Sequence, residues 1–438
     1  MALVVSDLSK YIIAIVMAIY TYECFAVFRH RNEEDRNGIY VRQIVCMFIV
    51  HFGGFAAICL ETNDVSYIIF YGFQQILLFA TIALYRTIYH EACRLIINNM
   101  CMLLSIGFII LTRLSFDKAV RQFIIVTVSL IIGLFIPFLI VRFQFLKKMQ
   151  WVYAAIGIGS LGIVMVLGAV TNGSKLSFSV AGISFQPSEF VKILFVFFIA
   201  SMLAKSKDLI QICMSALVAA VHVIILVLSR DLGSALIFFV VYVVMVFVAS
   251  RNYLYLFAGI AGGILASVVA SRIFSHVQVR IQAWLRPLEN IDKAGYQISQ
   301  SLFAIGTGGW FGMGIYQGDP TSIPYVEADF IFSAVAEELG VIFSLCMILV
   351  CMSCFIMFMN IAMKIKDDFY RLIAVGLGVV YIFQVFLTVG GGTRFIPLTG
   401  VTLPLVSYGG SSVLATIIIF SIIQGLYEIS SNEGVKVE

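Results

Sequence analysis

The sequence predicts an all-α polytopic membrane protein, on three observations. Hydrophobic residues make up 61% of the 438 positions and charged residues only 12%, about half the usual charged share. Apolar runs of roughly 20 residues, long enough to cross a bilayer, recur along the whole chain. The charges that remain fall between those runs or at their ends, where they cost least. No soluble fold accommodates this pattern. The net charge of +4 is scattered among loops and gives no basic patch, so no nucleic acid partner is expected.

About thirteen spans follow in order. The first three lie near 11–28, 43–60 and 67–85 and carry no convincing chemistry. Ten more lie near 98–111, 121–141, 151–170, 189–204, 209–228, 233–250, 254–274, 329–362, 370–390 and 405–429. No small-residue cleavage site follows the first run, so it reads as a helix rather than a removed signal. The nine cysteines lie almost all in apolar runs without zinc-like spacing and read as small hydrophobes. His51 and His222 fall in spans and His30, His90 and His276 in loops; each reads as structural.

Short-loop charge sets the orientation. Arg29, Arg31, Arg36, Arg42, Arg86, Arg94, Arg142, Lys147, Lys148, Lys205, Lys207, Arg251, Lys364, Lys366 and Arg371 all fall on one side, which the positive-inside rule assigns to the cytoplasm. The N-terminus is then outside and the C-terminus cytoplasmic. Residues 280–340, the long non-hydrophobic passage, face outward.

That passage is far longer than a connection needs to be, and long loops are commonly functional. It holds Arg280, Arg286, Glu327, Asp329, Glu337, Glu338 and the glycines 306, 308, 309, 312 and 314. Other ionisable residues open spans on the same side: Glu189 and Lys192 in SFQPSEFVK, Asp231 in LSRDLGSA, and Arg394 ahead of LPLVSYGGSS. Their convergence is the main pointer to function.

Each group also has a plain structural reading. Glu189 and Lys192, three apart, pair on one helix face; Asp231 is a helix cap; the glycine–serine run is a packing patch of small residues. Asp329, Ser333 and Glu337 fall on one helical face that would look into a cavity rather than lipid. A buried structural ion pair is the alternative for Asp329. An outward cavity of this kind suits a transport path or an active site. With no nucleotide fingerprint or metal-ligand cluster in the sequence, an enzyme there would need an activated, membrane-anchored donor such as a lipid pyrophosphate. Cations would hold the leaving group and a carboxylate would act as general base.

The ordered set FQPSEFVKI, DLGSAL, GYQISQSLFAIGTGGWFGMGI, DFIFSAVAEELG and PLTGVTLPLVSYGGSS resembles the SEDS family, which includes RodA, FtsW and SpoVE. The resemblance covers roughly 98–429. It implies a ten-helix core at 96–430, preceded by extra transmembrane helices at 1–95 and followed by a cytoplasmic tail at 431–438. A large extracellular loop, 275–328, joins the seventh and eighth core helices.

The implied activity is a peptidoglycan glycosyltransferase that polymerises lipid II at the outer face of the membrane, for elongation, division or sporulation. Its implied partner is a class B penicillin-binding protein. Asp329 matches the family's essential aspartate, the base that activates a sugar 4-hydroxyl. Glu189 and Lys192 match the QPSE..K charges, and Arg280 and Arg286 are the expected pyrophosphate partners. Asp231, Glu337, Ser407 and Ser411 complete the expected substrate-binding set. A divalent cation, magnesium or manganese, is associated with the family's activity, with Asp329 its natural neighbour; no nucleotide cofactor is expected.

Departures from the family pattern are specific. Leu176 and Ser177 stand where an Arg-Trp pair is usual, Arg230 replaces a proline, Tyr325 a glutamate, Glu327 a histidine and Thr388 an asparagine. Arg394 is an additional charge. Two other readings fit the same residues, a lipid II flippase with Asp329 and Glu337 as pathway charges, and a non-catalytic membrane scaffold of the cell-wall machinery.

Overall fold

A computed structural model describes residues 2–30, 32–171, 174–180 and 183–435. Three helices come first: α1 (Ala2–Ala26), α2 (Glu33–Thr62) and α3 (Val65–Ile88). The next seven long ones are α4 (Arg94–Leu114), α5 (Phe116–Arg142), α6 (Gln150–Leu167), α7 (Ser188–Lys205), α8 (Leu209–Leu228), α9 (Leu232–Ser250) and α10 (Tyr253–Ile273). Two shorter helices, α11 (Ser275–Leu285) and α12 (Tyr296–Gly308), lead to α13 (Ile331–Lys364), α14 (Asp368–Gly392) and α15 (Gly410–Val435). Local chemistry sets several boundaries. Asn32, Asp64 and Asp367 each accept a hydrogen bond from a first-turn backbone N–H of α2, α3 and α14 respectively, satisfying donors that a helix leaves orphaned.

Among the described residues twelve helices are long and apolar enough to cross a membrane. The thirteenth expected span, α7, falls short because it carries Glu189, Lys192 and Lys205. It is instead surrounded by protein, packing against α6, α8, α9, α14 and α15. One feature departs from a purely helical chain. A small antiparallel sheet, β1 (Ala169–Thr171), β2 (Ser174–Val180) and β3 (Ile183–Phe185), joins α6 to α7 in the order β1-β2-β3.

Helices α1–α3 pack on α4, α5 and α13, and with them α4 becomes wholly buried. Several polar groups in this interior find partners, which lipid would not supply. Tyr20 donates to Asn99 Oδ1 at 2.9 Å and Asn99 donates to Ser353 Oγ at 2.7 Å. Buried His51 lies between Gln74 and Gln75. Along the α5–α15 seam small residues permit close approach: Gly133 meets Ser421 and Gly425 meets Pro137. By contrast α10 has no buried residue and packs chiefly on α9 and α11.

The bundle has two unlike ends. At one, Lys147 pairs with Asp367, and Lys207 and Arg371 with Asp368, in the short connections after α5, α7 and α13. At the other lie the starts of α7, α9, α13 and α15, with Asp329.

Residues 280–340 are not an open loop. Gly340, at φ 89° and ψ 167°, breaks α13 after its first nine residues, and backbone from 309–314 fills the break. Met313 and Gly314 donate to the carbonyls of Glu337 and Glu338 at 2.8 and 2.9 Å, while Val341 and Ile342 donate to Gly309 and Trp310 at 3.0 and 3.2 Å. These four bonds replace the ladder bonds lost at the break, the usual condition for irregular backbone at membrane depth. Both chains need glycine. A Cβ on Gly340 would lie 2.4 Å from Gly312 N, and one on Gly312 2.2 Å from Glu338 O, and both residues have positive φ.

Gly340→Ala should therefore lose about 3–5 kcal/mol of stability, from strain and a backbone clash together. Gly306→Ala, with nothing within 4 Å of the added methyl, should stay within about 1 kcal/mol and gain slightly from helix propensity. Thermal melts of the two variants in detergent check this.

Candidate active site at the Asp329 end

Three buried clusters meet at this end. The first joins α7 to α14. Lys192, 2% exposed, donates to Glu189 Oε2 at 2.8 Å and to Gln384 Oε1 at 2.7 Å. Gln384 in turn donates to the Thr402 carbonyl at 3.1 Å and to Ser412 Oγ at 3.2 Å. Beside it Thr388 donates to the Val401 carbonyl at 2.8 Å. The segment between α14 and α15 is thus bonded to side chains of both helices.

The second cluster is built on Asp231. Its Oδ1 caps α9 by accepting from Ser234 N at 3.1 Å. Its Oδ2 accepts from Ser188 Oγ at 3.1 Å and Gln186 Nε2 at 3.3 Å. Gln186 N also donates to Ser411 Oγ at 2.9 Å. Ser407 holds the approach to Asp329, donating to the Ala328 carbonyl at 2.6 Å and accepting from Leu403 N at 2.9 Å. Tyr408 N donates to the Glu327 carbonyl at 2.7 Å. The glycine–serine motif therefore clasps the turn that carries Asp329, and Glu327 itself pairs with Lys118.

The third cluster fixes the first turns of α13. Glu338, with its side chain 1% exposed, receives Arg113 Nε at 2.6 Å and Tyr316 N at 3.2 Å. Arg113 also donates to the Gly318 carbonyl at 3.0 Å and lies over the Tyr316 ring, 4.4 Å from its centroid. Glu337 Oε1 accepts from Asp319 N at 2.9 Å.

Asp329 stands among these clusters without sharing in them. It lies in the turn before α13, bonded through its own N–H to the Tyr325 carbonyl at 3.2 Å. Its carboxylate makes no hydrogen bond among the described residues, and Gly400 backs it, a Cβ there lying 3.7 Å from Oδ2. Burial raises its pKa from 3.8 to about 6, against the pull of nearby Arg280, with Glu327 raising it further. Arg280, on α11, donates Nη1 to the Leu398 carbonyl at 3.1 Å. Burial lowers its pKa, while Asp329 and Asp231 oppose the shift.

The geometry corrects three expectations. Asp329 and Glu337 do not share a helical face, because α13 starts at Ile331; Ser333 is buried against Ser301 at 2.6 Å, and Glu337 holds the 313–319 segment. Glu189 and Lys192 are consumed in a buried ion pair, so they position helices rather than face a ligand. Arg286 is exposed and pairs with Glu289 at 3.1 Å, the side chains 72% and 65% exposed, rather than pointing inward. Asp231, Arg280, Ser407 and Ser411 do gather around Asp329's turn. Reading from sequence missed Arg113, Lys118, Gln186 and Gln384. Gln384, a lone polar residue inside the apolar run 370–390, was the available signal. The side chains of Leu176 and Ser177 lie outside the described residues.

The donor set does not suit a resident divalent cation. Among the described residues no three carboxylate, histidine or cysteine groups cluster, and Asp329 faces a guanidinium rather than a second free carboxylate.

Removing Arg113 alone would leave a buried charge on Glu338. Arg113→Met should cost about 3–5 kcal/mol, and Glu338→Leu added to it should recover most of the loss; paired thermal melts of the single and double variants decide it.

Comparison with known proteins places these features in a family. The profile of the FtsW/RodA/SpoVE family, described as cell cycle protein, matches residues 92–432, leaving α1–α3 outside. Peptidoglycan glycosyltransferase RodA of Mycobacterium tuberculosis is 36% identical over 268 residues, 58% of this chain and 57% of that protein. The chain thus spans little more than half the length of that relative. Stage V sporulation protein E of Bacillus subtilis is 33% identical over 294 residues, 64% of this chain and 80% of that protein. In fold, a chain of a peptidoglycan synthase complex that coordinates polymerization and crosslinking superposes with a TM-score of 0.67 at 24% identity, over 77% of this chain and 98% of that one. With most of its length matched and its helical core reproduced in a solved structure, the chain belongs to the FtsW/RodA/SpoVE family of cell cycle proteins.

Proposed function

We propose that this membrane protein is a peptidoglycan glycosyltransferase that polymerises lipid II, acting at the outer face of the cytoplasmic membrane. The observation that carries this reading is Asp329, an unbonded carboxylate with a raised pKa beside Arg280, mounted on a turn that three clusters hold rigid. The N-terminus is then outside, the C-terminus cytoplasmic, and the lysine-rich end cytoplasmic. A class B penicillin-binding protein is the partner that would cross-link the product, in line with the synthase complex whose chain shares this fold.

In the reaction, Asp329 accepts the proton of the 4-hydroxyl on one lipid-linked disaccharide as that oxygen attacks the anomeric carbon of another. The new glycosidic bond forms as the anomeric C–O bond breaks and undecaprenyl pyrophosphate departs. Arg280 is the cation placed to offset charge there. A base near its working pH and free of competing donors is well suited to this step. Among the described residues none builds a site for the family's divalent cation, so no step here is assigned to it. The break in α13 is plugged by backbone rather than lining a water-filled path, which favours the enzyme over a flippase.

Purified protein should build glycan strands from lipid II with its partner, and Asp329→Ala should lower the rate by about 10²–10⁴ while remaining folded. The wild-type rate should climb about tenfold per pH unit below about pH 6 and level off above it, following the ionised base. A flat profile, or an active Asp329→Ala, would overturn the assignment.

The same carboxyl binds its proton more tightly folded than unfolded, so its ionisation costs stability. That cost appears as pH rises from about 4 to about 6 and persists above. Asp329→Asn should consequently melt higher than the parent at about pH 7.5, by the equivalent of about 1–2 kcal/mol, with the two converging below about pH 4. Melting curves at both pH values check the sign.

A further inference from the structure

We infer that the cavity between α11 and the α14–α15 segment is a saccharide subsite, holding the sugar unit next to the reacting one. This rests on the glycosyltransferase reading. The cavity measures about 400 Å³ and is lined by Trp284, Leu285, Leu302, Thr393 and Arg394, within the usual size range of small-molecule sites.

Its walls are braced. Arg394 donates Nε to the Trp284 carbonyl and Nη2 to the Leu285 carbonyl, both at 2.9 Å, and Trp284 Nε1 returns a bond to the Arg394 carbonyl at 3.0 Å. Arg394 is held at φ 60°, a conformation that costs an L-residue free energy. Such bracing aims a guanidinium whose Nη1 makes no hydrogen bond and which has no carboxylate partner among the described residues.

The chemistry selects a sugar. An indole and two leucines offer apolar surface to a pyranose C–H face, while one free guanidinium nitrogen offers a donor to a hydroxyl or acetamido oxygen. An acyl chain has no use for the cation, and a pyrophosphate would call for more than one free donor. Position agrees. Trp284 follows Arg280 by one helical turn on the same face of α11, and Arg280 faces Asp329. The next sugar along from the reacting bond would meet Trp284 and Arg394.

The sugar could belong to the growing strand or to the incoming lipid-linked disaccharide. Calorimetric titration of the detergent-solubilised full chain separates them, using a peptide-free tetrasaccharide of alternating N-acetylglucosamine and N-acetylmuramic acid in one arm and lipid II in the other. Leu302→Phe fills the cavity, and Arg394→Lys keeps the charge but loses the fork. Both should weaken saccharide binding about tenfold, and both should shorten the strands made from lipid II, with the Leu302→Phe melting temperature unchanged as the folding control.

Loss in the tetrasaccharide arm assigns the subsite to the strand, and loss in the lipid II arm alone assigns it to the incoming unit; either supports the inference. Binding indifferent to both variants, a wild type that binds neither the tetrasaccharide nor lipid II, or displacement of the bound ligand by inorganic pyrophosphate would overturn it. Should no protein make strands while cavity-dependent saccharide binding persists, the polymerase reading falls and the subsite stands.

Discussion

Lys192 is the group on which much of the bundle depends. A primary amine this deeply buried is tolerable only if its donors are satisfied, and here Glu189 and Gln384 satisfy it from α7 and α14. Gln384 then reaches Thr402 and Ser412, so one charge organises two spans and the segment between α14 and α15. That segment supplies the carbonyl for Arg280, the glycine behind Asp329 and the serine that holds Asp329's turn. The reactive end is assembled by satisfying polar groups that lipid would not solvate.

A division of labour follows between charges that hold the structure and the one left open. Glu189, Glu327, Glu337 and Glu338 are each bonded to a cation or a backbone donor, and Asp231 is shared between a helix cap and two side chains. Asp329 alone of this group keeps an unbonded carboxylate among the described residues. Rigid surroundings and an idle base are complementary, since preorganisation around a reacting group avoids reorganisation during the reaction. Some departures from the family pattern are absorbed in the same way. Glu327 finds Lys118, and Thr388 bonds the Val401 carbonyl.

The spans were legible in the sequence because lipid imposes length and apolarity directly, and the ends of Glu189, Asp231 and Asp329 were found on the same side for the same reason. What failed was arithmetic that assumed continuous helix. Asp329, Ser333 and Glu337 are spaced as one helical face, yet α13 begins at Ile331. The 280–340 passage read as loop because its helices α11 and α12 are short and mixed in character. Arg113 carries no sequence signal of its role, since pairing over 225 positions with Glu338 leaves no local trace. Gln384 was hidden by the hydrophobicity around it.

The buried setting of α7 also bears on how the protein is made. Too charged to meet the usual measure of a membrane-crossing helix, α7 leaves the ribosome long before Gln384, which follows Lys192 by 192 positions. Until α14 is synthesised and inserted, Lys192 has only Glu189 to shield it from lipid. Maturation of the chain is therefore gated by its C-terminal third: the bundle cannot close around α7, nor the turn of Asp329 be clasped by Ser407, until the last two spans are in place.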